Sequence, residues 1–325
     1  MENLLLFIET KDKGLKKASL ELLGEAARLR AAGTYKVHGV IMGGVPEDVK
    51  KKVLPYVDVL ANITGPALDQ YTPEGFASAL AGYAKEIAPK LILASATQTG
   101  RDFLPRVAVL LGSGIASDVT GIRWSEDPVK FVRPIYGGKV LSEVSFTGYP
   151  AVVTVRPNTF AGEEPGAEEG EYLERQAGID PGQLRTKVLR REESGQGKVD
   201  LIEADIIVSG GRGLKSAENF KVLEDLAGTI GAAVGAARSV VDAKWRDQED
   251  QVGKSGKTVS PKLYVAVGIS GAIHHTMGMD TSKVVLAVNT DPNAMIFSYA
   301  DYGIVGDFAQ VVPAMTEEFR KRLGR

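Results

Sequence analysis

In the stretch LYVAVGISGAIHH, residues 263–275, an apolar run leads through a turn of small residues into the start of a helix. The run of valines and other apolar residues is typical of a parallel strand that is buried on both faces. Ser270 and Gly271 supply the turn, and the first backbone amides of a helix that begins near Ala272 point back into the crevice at the end of the strand. A strand followed by a turn and a helix is half of a βαβ unit, so this stretch predicts an α/β fold.

Similar steps from strand to helix flank this stretch on both sides. Upstream, the run ADIIVSG (204–210) precedes a glycine turn and a segment of helical period, residues 216–228. Downstream, the run KVVLAVN (283–289) precedes the turn NTDP and a final helix that ends in EEFRKRL. The sequence therefore predicts a doubly wound, Rossmann-like C-terminal domain over residues 196–325, whose loops after the strands line a ligand crevice.

The N-terminal part shows the same alternation at first and then changes. Before residue 100, the strand-like runs LLLFIE, KVHGVIMG, VDVLANI and LILASA alternate with two segments of helical period, residues 14–30 and 72–88. After residue 111, strand-like runs such as KFVRPIYGGK and AVVTVRP follow one another without helices. We expect an α/β domain over residues 1–195, with a mostly parallel sheet and extra strands that extend it or form a layer beside it. The charged, glycine-rich residues 190–198 are the best candidate for a linker between the domains.

Composition excludes several classes of function. With 39 basic and 41 acidic residues and a formal net charge of -2, the chain has no excess of positive charge that would favour nucleic acid or an anionic membrane. It has no cysteine, which excludes thiolate zinc sites, cysteine-ligated iron–sulfur clusters and a cysteine nucleophile. The N-terminus lacks a signal-peptide pattern, and no apolar run reaches the roughly 18 residues of a membrane span, so we expect a cytoplasmic protein.

Three motifs could bind a ligand, and each has a simpler structural interpretation. The turn GGRG could bind phosphate, but the dinucleotide fingerprint would need a glycine where Ser216 stands and a carboxylate near Arg238. The segment VGKSGKT, residues 252–258, lacks the first glycine and the preceding strand of a P-loop. His274 and His275 lie about 100° apart on a helix, so they cannot form a metal pair, and we expect no metal site. A structural turn, a solvated loop and a helix start are the respective alternatives.

Taken in series, these segments resemble the electron transfer flavoprotein alpha subunit. The matching blocks of the C-terminal part are GGRGLKSAENF (210–220), AVGAARSVVD (233–242), QVGKSGKT (251–258), LYVAVGISGAIHH (263–275), VNTDPNAMIF (288–297) and ADYGIVGDF (300–308). The N-terminal part agrees through FLPRVAVLLGSGIASDVTGI and FVRPIYGG, so the resemblance covers nearly the whole chain. It implies that the C-terminal domain binds FAD.

The resemblance also assigns individual residues to the FAD site. These are Arg212, Gly213, Arg238, Val252, Gly253, Lys254, Ser255, Ser270, Gly271, Ala272, Ile273, His274, His275, Asn289, Asp307 and Phe308. It implies that Arg212 and the turn of residues 270–273 bind the pyrophosphate and the adjoining flavin chain, which suits a place at helix N-termini. Asn289 and Asp307 would bind the adenosine end, and His274 would contribute only its backbone.

Around the isoalloxazine ring, the resemblance implies a second group of contacts. Residues 252–255 would wrap the ring, with the Ser255 hydroxyl aimed at its redox-active nitrogen. Arg238 would lie against the ring, and His275 would reach its pyrimidine edge. A positive guanidinium and a hydrogen bond at this edge would stabilise an anionic semiquinone.

The resemblance further implies a carrier of electrons rather than an enzyme. Such a chain forms a heterodimer with a beta subunit, largely through its N-terminal domain, and its FAD-binding domain swivels on the linker. Its FAD would take electrons from flavoprotein dehydrogenases, such as the acyl-CoA dehydrogenases of fatty acid β-oxidation, and pass them to a quinone oxidoreductase or another acceptor. Two alternatives stay open: the flavin subunit of an NADH-dependent electron-bifurcating complex, and a stand-alone NAD-binding dehydrogenase.

Overall fold

The computed structural model describes residues 1–11, 14–166, 168–190 and 199–324. The chain divides into two units, Met1–Glu193 and Ser194–Arg325. Their boundary and most of the predicted linker, residues 191–198, lie outside the described residues. Within the described ranges, no helix is long and apolar enough to cross a membrane.

The N-terminal unit alternates strands and helices in its first half and consists mostly of strands in its second. In chain order its elements are β1 (Glu2–Phe7), β2 (Thr10–Lys11), β3 (Gly14–Leu15), α1 (Lys17–Ala31), β4 (Tyr35–Met42), α2 (Glu47–Val53), β5 (Val59–Thr64), α3 (Pro73–Ile87), β6 (Leu91–Ser95), α4 (Gln98–Leu110), β7 (Ile115–Val119), β8 (Gly121–Arg123), β9 (Lys130–Ile135), β10 (Val140–Val144), β11 (Ala151–Val155) and β12 (Glu171–Gln176).

A parallel sheet of seven strands, in the order β12-β5-β4-β1-β6-β11-β7, forms the centre of this unit. Its central strands are apolar on both faces because helices cover both, whereas the edge strand β12 is charged and largely exposed. In β1, Leu4 and Leu6 belong to one hydrophobic cluster with residues of α1, whereas Leu5 and Phe7 belong to another with residues of α3 and α4. The side chains thus alternate between two cores with the period of a strand.

The strands after α4 take both of the places that the sequence predicts. β7, β11 and β12 extend the parallel sheet, while β8, β9 and β10 form a separate antiparallel sheet of three strands. The predicted fold of the N-terminal part, a mostly parallel sheet with extra strands, is confirmed.

The C-terminal unit has five strands and a helix after most of them. Its elements are β13 (Ile206–Gly210), α5 (Phe220–Ile230), β14 (Ala233–Ala236), α6 (Arg238–Asp242), β15 (Leu263–Val267), α7 (Ile273–Thr276), β16 (Val285–Asn289), β17 (Tyr302–Val305) and α8 (Phe308–Leu323).

All strand pairs of this unit are parallel, and the sheet order is β14-β13-β15-β16-β17. The order reverses between β13 and β15, which opens a crevice at the carboxyl ends of these two strands. The predicted doubly wound fold is therefore confirmed. One boundary differs: α5 begins at Phe220 rather than near Ser216, because a 3-10 turn and further turn residues intervene.

Candidate functional site

A cavity of about 720 Å³ opens where the strand order of the C-terminal sheet reverses. Ligands of doubly wound proteins bind at this point of the sheet, and the volume is within the range of cofactor sites. The loops after β13, β14, β15 and β16 all contribute to its wall. The predicted site residues that line it are Arg212, Gly213, Arg238, Val252, Gly253, Ser255, Ser270, Ala272, His274, His275 and Asn289.

The other predicted site residues do not line the cavity. They are Lys254, Gly271, Ile273, Asp307 and Phe308. The carboxylate of Asp307 caps α8, where it accepts a hydrogen bond from the Ala309 N–H at 2.9 Å, and it pairs with Lys215 at 3.4 Å. Phe308 is buried in the hydrophobic core, in a cluster that includes Val288. Its side chain therefore serves packing.

Close packing of backbone joins the turns after β13 and β15. A β-carbon on Gly211 would lie 2.2 Å from the carbonyl oxygen of Gly268, so only glycine fits there. Arg212 directly follows Gly211 and lies in a 3-10 turn, Arg212–Leu214, well before α5 begins at Phe220. The prediction that Arg212 lies at a helix N-terminus is therefore wrong. Within the described part of the chain, Arg212 has no ion-pair partner, and its guanidinium can bind an anion in the cavity.

The loop after α6 is fixed to the start of α7 and to itself. The Lys254 N–H donates to the carbonyl oxygen of His274 at 2.7 Å, and the Gly253 N–H donates to that of Lys257 at 3.1 Å. The side-chain amide of Gln251, which is only 2% exposed, donates to the Ser255 hydroxyl at 2.9 Å. Since the hydroxyl oxygen accepts this bond, its own hydrogen stays available for a ligand in the cavity.

His275 and His274 have separate environments. His274 is exposed, and its carbonyl oxygen holds the preceding loop. His275 is 6% exposed, and its Nε2 lies 2.9 Å from the hydroxyl of Tyr264. Its other ring nitrogen, Nδ1, is buried and makes no hydrogen bond of normal geometry with a described residue. Burial lowers the pKa of His275 to about 4, an effect that the nearby Val252 backbone offsets only in part, so the imidazole is neutral at neutral pH.

Charge of both signs lies on α6 at the rim of the cavity. The Nε of Arg238 lies 3.4 Å from the Oδ2 of Asp242, one helical turn later, and both side chains are largely exposed. In water such a pair is weak, so Arg238 can turn to a negative group in the cavity at little cost. A second guanidinium, that of Arg212, lines the same cavity.

Asn289 holds the turn after β16 in addition to lining the cavity. Its side-chain amide donates to the carbonyl oxygen of Ile269 at 2.9 Å, and its side-chain oxygen accepts from the Asp291 N–H at 3.0 Å. The Asx turn that the sequence suggests is thus present. The bond from the Asn289 amide to the Ile269 carbonyl fixes the end of β16 to the turn after β15.

Three residues with polar contacts at the site escape prediction from the sequence. Gln251 and Asp242 line the cavity, and Tyr264 bonds to His275 beneath it. The spacing of Asp242, four residues after Arg238, is a sequence signal for an ion pair on a helix. Tyr264 gives no such signal, because an aromatic residue in an apolar strand run indicates core packing alone. Across the described residues, no group of three His, Cys, Asp or Glu side chains could hold a metal ion.

Comparison with known proteins gives matches along nearly the entire chain. Residues 4–178 match the electron transfer flavoprotein domain, and residues 200–280 match the electron transfer flavoprotein FAD-binding domain. The electron transfer flavoprotein subunit alpha of Thermoanaerobacterium thermosaccharolyticum is 39% identical over 97% of both chains. That of Bacillus subtilis is 38% identical over 96% of both chains. The protein FixB of Azotobacter vinelandii is 39% identical over 98% of this chain and 91% of its own length.

The residues around the cavity fit FAD. The guanidinium of Arg212 suits its phosphates, and that of Arg238 suits negative charge elsewhere on the cofactor. The buried Nδ1 of His275 lacks a partner that a ligand oxygen could supply, and Ser255 retains a free hydroxyl hydrogen. The matches extend over both units of the chain, and the cavity lies in the unit that matches the FAD-binding domain. The chain therefore belongs to the electron transfer flavoprotein alpha-subunit family, and its C-terminal unit is the FAD-binding domain of that family.

Proposed function

We propose that this chain is the alpha subunit of a cytoplasmic, heterodimeric electron transfer flavoprotein that carries electrons between other proteins. Its electrons would come from flavoprotein dehydrogenases, such as the acyl-CoA dehydrogenases of fatty acid β-oxidation, and go to a quinone oxidoreductase or another acceptor. The observation that carries the proposal is the cavity at the reversal of strand order, lined by Arg212, Arg238, Ser255 and His275 within a matched FAD-binding domain.

In this proposal, the turns after the strands hold the phosphates. Arg212, which has no ion-pair partner among the described residues, would bind the pyrophosphate together with the backbone of Ser270 and Ala272. Asn289 would bind near the adenosine end, because it lies at the end of the next strand of the sheet. Asp307 would act at the same end, although the cavity of the described structure does not extend to it.

The second part of the site would hold the isoalloxazine ring. Bound FAD supplies redox chemistry in steps of one or two electrons. Ser255 would donate its free hydroxyl hydrogen to the redox-active nitrogen, and His275 would donate to the pyrimidine edge from a neutral imidazole. Arg238 would turn from Asp242 to the ring and favour negative charge on it. These side chains would make acceptance of a single electron easier.

The N-terminal unit would contact the beta subunit. We place its limit at residue 195, and residues 190–198 would act as a hinge that lets the FAD-binding domain meet different partners. The apolar surface between α3 and α4, which includes the exposed Val109 and Leu110, is available for protein contact in this unit.

The central test is purification of the chain together with its beta subunit. We expect one FAD in the C-terminal unit, reduced by an acyl-CoA dehydrogenase with its substrate and reoxidised by a quinone oxidoreductase, both followed by flavin absorbance. Ala272→Trp should block the cavity and remove most of the FAD, whereas Ala217→Trp, at an exposed position outside the cavity, should retain it. A colourless heterodimer that FAD does not reconstitute would refute the proposal.

A second candidate is the flavin subunit of an NADH-dependent electron-bifurcating complex. Some relatives at similar identity carry a different name, protein FixB, so the similarity does not select one role within the family. Addition of NADH to the heterodimer separates the two. Rapid flavin reduction favours bifurcation, whereas no reduction by NADH together with reduction by a dehydrogenase favours the simple carrier.

A further inference from the structure

We infer that Tyr264 is a positioning residue for the FAD site: its hydroxyl donates to Nε2 of His275 and thereby fixes the imidazole hydrogen on Nδ1. In this arrangement His275 offers the ligand a neutral N–H donor with one defined orientation. The inference rests on the proposed function, because the ligand that would accept this hydrogen is the bound FAD.

The contact between the two side chains is completely buried. Tyr264 lies in β15, a central strand of the C-terminal sheet, and is 0% exposed. Its hydroxyl is 2.9 Å from Nε2 of His275, and the two ring centroids are 6.1 Å apart. Water does not compete for the bond at this depth, so one hydrogen-bonded arrangement of the pair is favoured.

Both groups are neutral in this environment. Burial raises the pKa of the Tyr264 phenol above its ordinary value, so the phenol keeps its hydrogen. Burial lowers the pKa of His275 to about 4, so the imidazole carries a single hydrogen at neutral pH. The contact with His275 then has two arrangements: the phenol donates to Nε2, or an Nε2–H donates to the phenol oxygen, beside which the Ser209 side chain also lies.

The chemistry of the two groups selects the first arrangement. A phenol is a stronger acid than a neutral imidazole N–H, and the unprotonated imidazole nitrogen is a stronger base than a phenol oxygen. The O–H therefore donates to Nε2, and the single imidazole hydrogen lies on Nδ1. This places the hydrogen on the nitrogen that has no hydrogen bond of normal geometry with a described residue.

The Val252 backbone lies near His275 but gives Nδ1 no hydrogen bond of normal geometry, so an N–H there is left without a full partner, and a ligand acceptor can supply one. His275 also lines the cavity, so an acceptor there is within its reach. Tyr264 thus acts through His275 and does not itself line the cavity. Without its phenol, both tautomers of the imidazole become accessible, and the one with hydrogen on Nε2 presents a lone pair at Nδ1 in place of a donor.

The experiment is a long-range 1H–15N NMR spectrum of the heterodimer with labelled histidine rings, in which His275→Gln identifies the His275 signals. We expect the wild-type protein to show His275 with hydrogen on Nδ1. In Tyr264→Phe, we expect a mixture of tautomers or the Nε2–H form, and FAD affinity lower by about 3- to 10-fold. The wild-type spectrum alone tests the inference even if Tyr264→Phe does not fold, because hydrogen on Nε2 of wild-type His275 would overturn it.

The chain offers a matched control in its other unit. There the hydroxyl of Tyr83 lies 3.0 Å from Nδ1 of His38, and both residues are buried. Tyr83→Phe should change the His38 signals and leave those of His275 and the FAD affinity unaltered. An unchanged His275 tautomer in Tyr264→Phe also overturns the inference, whereas a wild-type heterodimer that shows the expected tautomer but binds no FAD contradicts only the proposed function.

Discussion

Gly278 and Gly253 are packed so closely that a β-carbon on Gly278 would lie 2.4 Å from the backbone nitrogen of Gly253. This contact presses the segment after α7 against the loop that carries Ser255, and the Lys254 N–H bond to the His274 carbonyl ties the same loop to α7 itself. The position of the loop relative to the cavity therefore depends on the absence of a side chain at residue 278.

The first prediction follows from this contact. Gly278→Ala should displace the loop and lower the affinity for FAD by about tenfold or more, since backbone atoms cannot move aside as a flexible side chain does. FAD titration of the apoprotein measures the effect. The control is Gly228→Ala in α5, where nothing lies within 4 Å of the new methyl group. It should leave FAD affinity unchanged and raise helix stability by about 0.5–1 kcal/mol.

A second prediction concerns the bond from Gln251 to Ser255. Gln251→Met keeps the volume of this buried side chain but removes the donor, so the Ser255 hydroxyl loses its fixed orientation. We expect the midpoint potential of bound FAD to fall, and to fall further in Ser255→Ala. In the Ser255→Ala background, Gln251→Met should have no additional effect on the potential. Additive shifts in this double-mutant cycle would show that the two residues act separately.

Substitutions of Arg238 and of its ion-pair partner Asp242 should shift the midpoint potential of bound FAD in opposite directions. Arg238→Gln removes positive charge from the cavity and should lower the midpoint potential for the first one-electron reduction of bound FAD by tens of millivolts. A tenfold change in the equilibrium constant of a one-electron reduction corresponds to about 59 mV. Asp242→Asn frees Arg238 from its partner and should raise the same potential. Arg320→Gln, at an exposed position of α8, makes the same charge change away from the cavity and should have no effect. Equal shifts in Arg238→Gln and Arg320→Gln would exclude a specific contact with the ring.

The fourth prediction concerns pH. The pKa of His275 falls from 6.5 to about 4 through burial, so the folded protein binds fewer protons than the unfolded chain between these values. His275 should therefore make its full contribution to the free energy of unfolding above pH 6.5. That free energy should fall by up to about 3 kcal/mol as the pH drops from 6.5 through 4. His275→Gln should reduce this dependence in the apoprotein.

Urea unfolding followed by Trp245 fluorescence in a Trp124→Phe background measures this effect, because the chain has two tryptophans, one in each unit. His38, whose pKa burial also lowers, is in the N-terminal unit and is unchanged in both proteins. Identical pH profiles for His275→Gln and its parent would contradict the assignment of a buried neutral imidazole.

The sequence predicts most of the C-terminal fold because each strand run is followed by a turn and a helix, as in the step from β15 to α7. It does not predict that β11 lies between β6 and β7. The strands β8, β9 and β10, which precede β11 in the chain, form an antiparallel sheet, so the local pattern does not indicate that β11 pairs in parallel with β6 and β7. Periodicity describes neighbours along the chain, whereas the place of β11 depends on contacts between residues about 60 apart.

The site follows a similar rule. Arg238, Ser255 and His275 are predictable because their segments resemble those of a family, and the structure brings them to one cavity. Tyr264 is not, since its phenol meets an imidazole 11 residues later and only the fold reveals that contact. Phe308 shows the opposite case: a position inside a matching block can serve the core, because a block that resembles a binding segment also contains the residues that pack it.

The position of β11 in the sheet also determines how long strand edges stay unpaired during synthesis of the chain. Among the strands that the structure describes, β7 pairs with β11 alone, and β6 has its second neighbour only when residues 151–155 are present. During synthesis from the N-terminus, the edge of β6 and the whole of β7 therefore stay unpaired until about 40 further residues have been added beyond α4. An open strand edge is a template for association with other chains, so the growing polypeptide is most prone to aggregate in this interval.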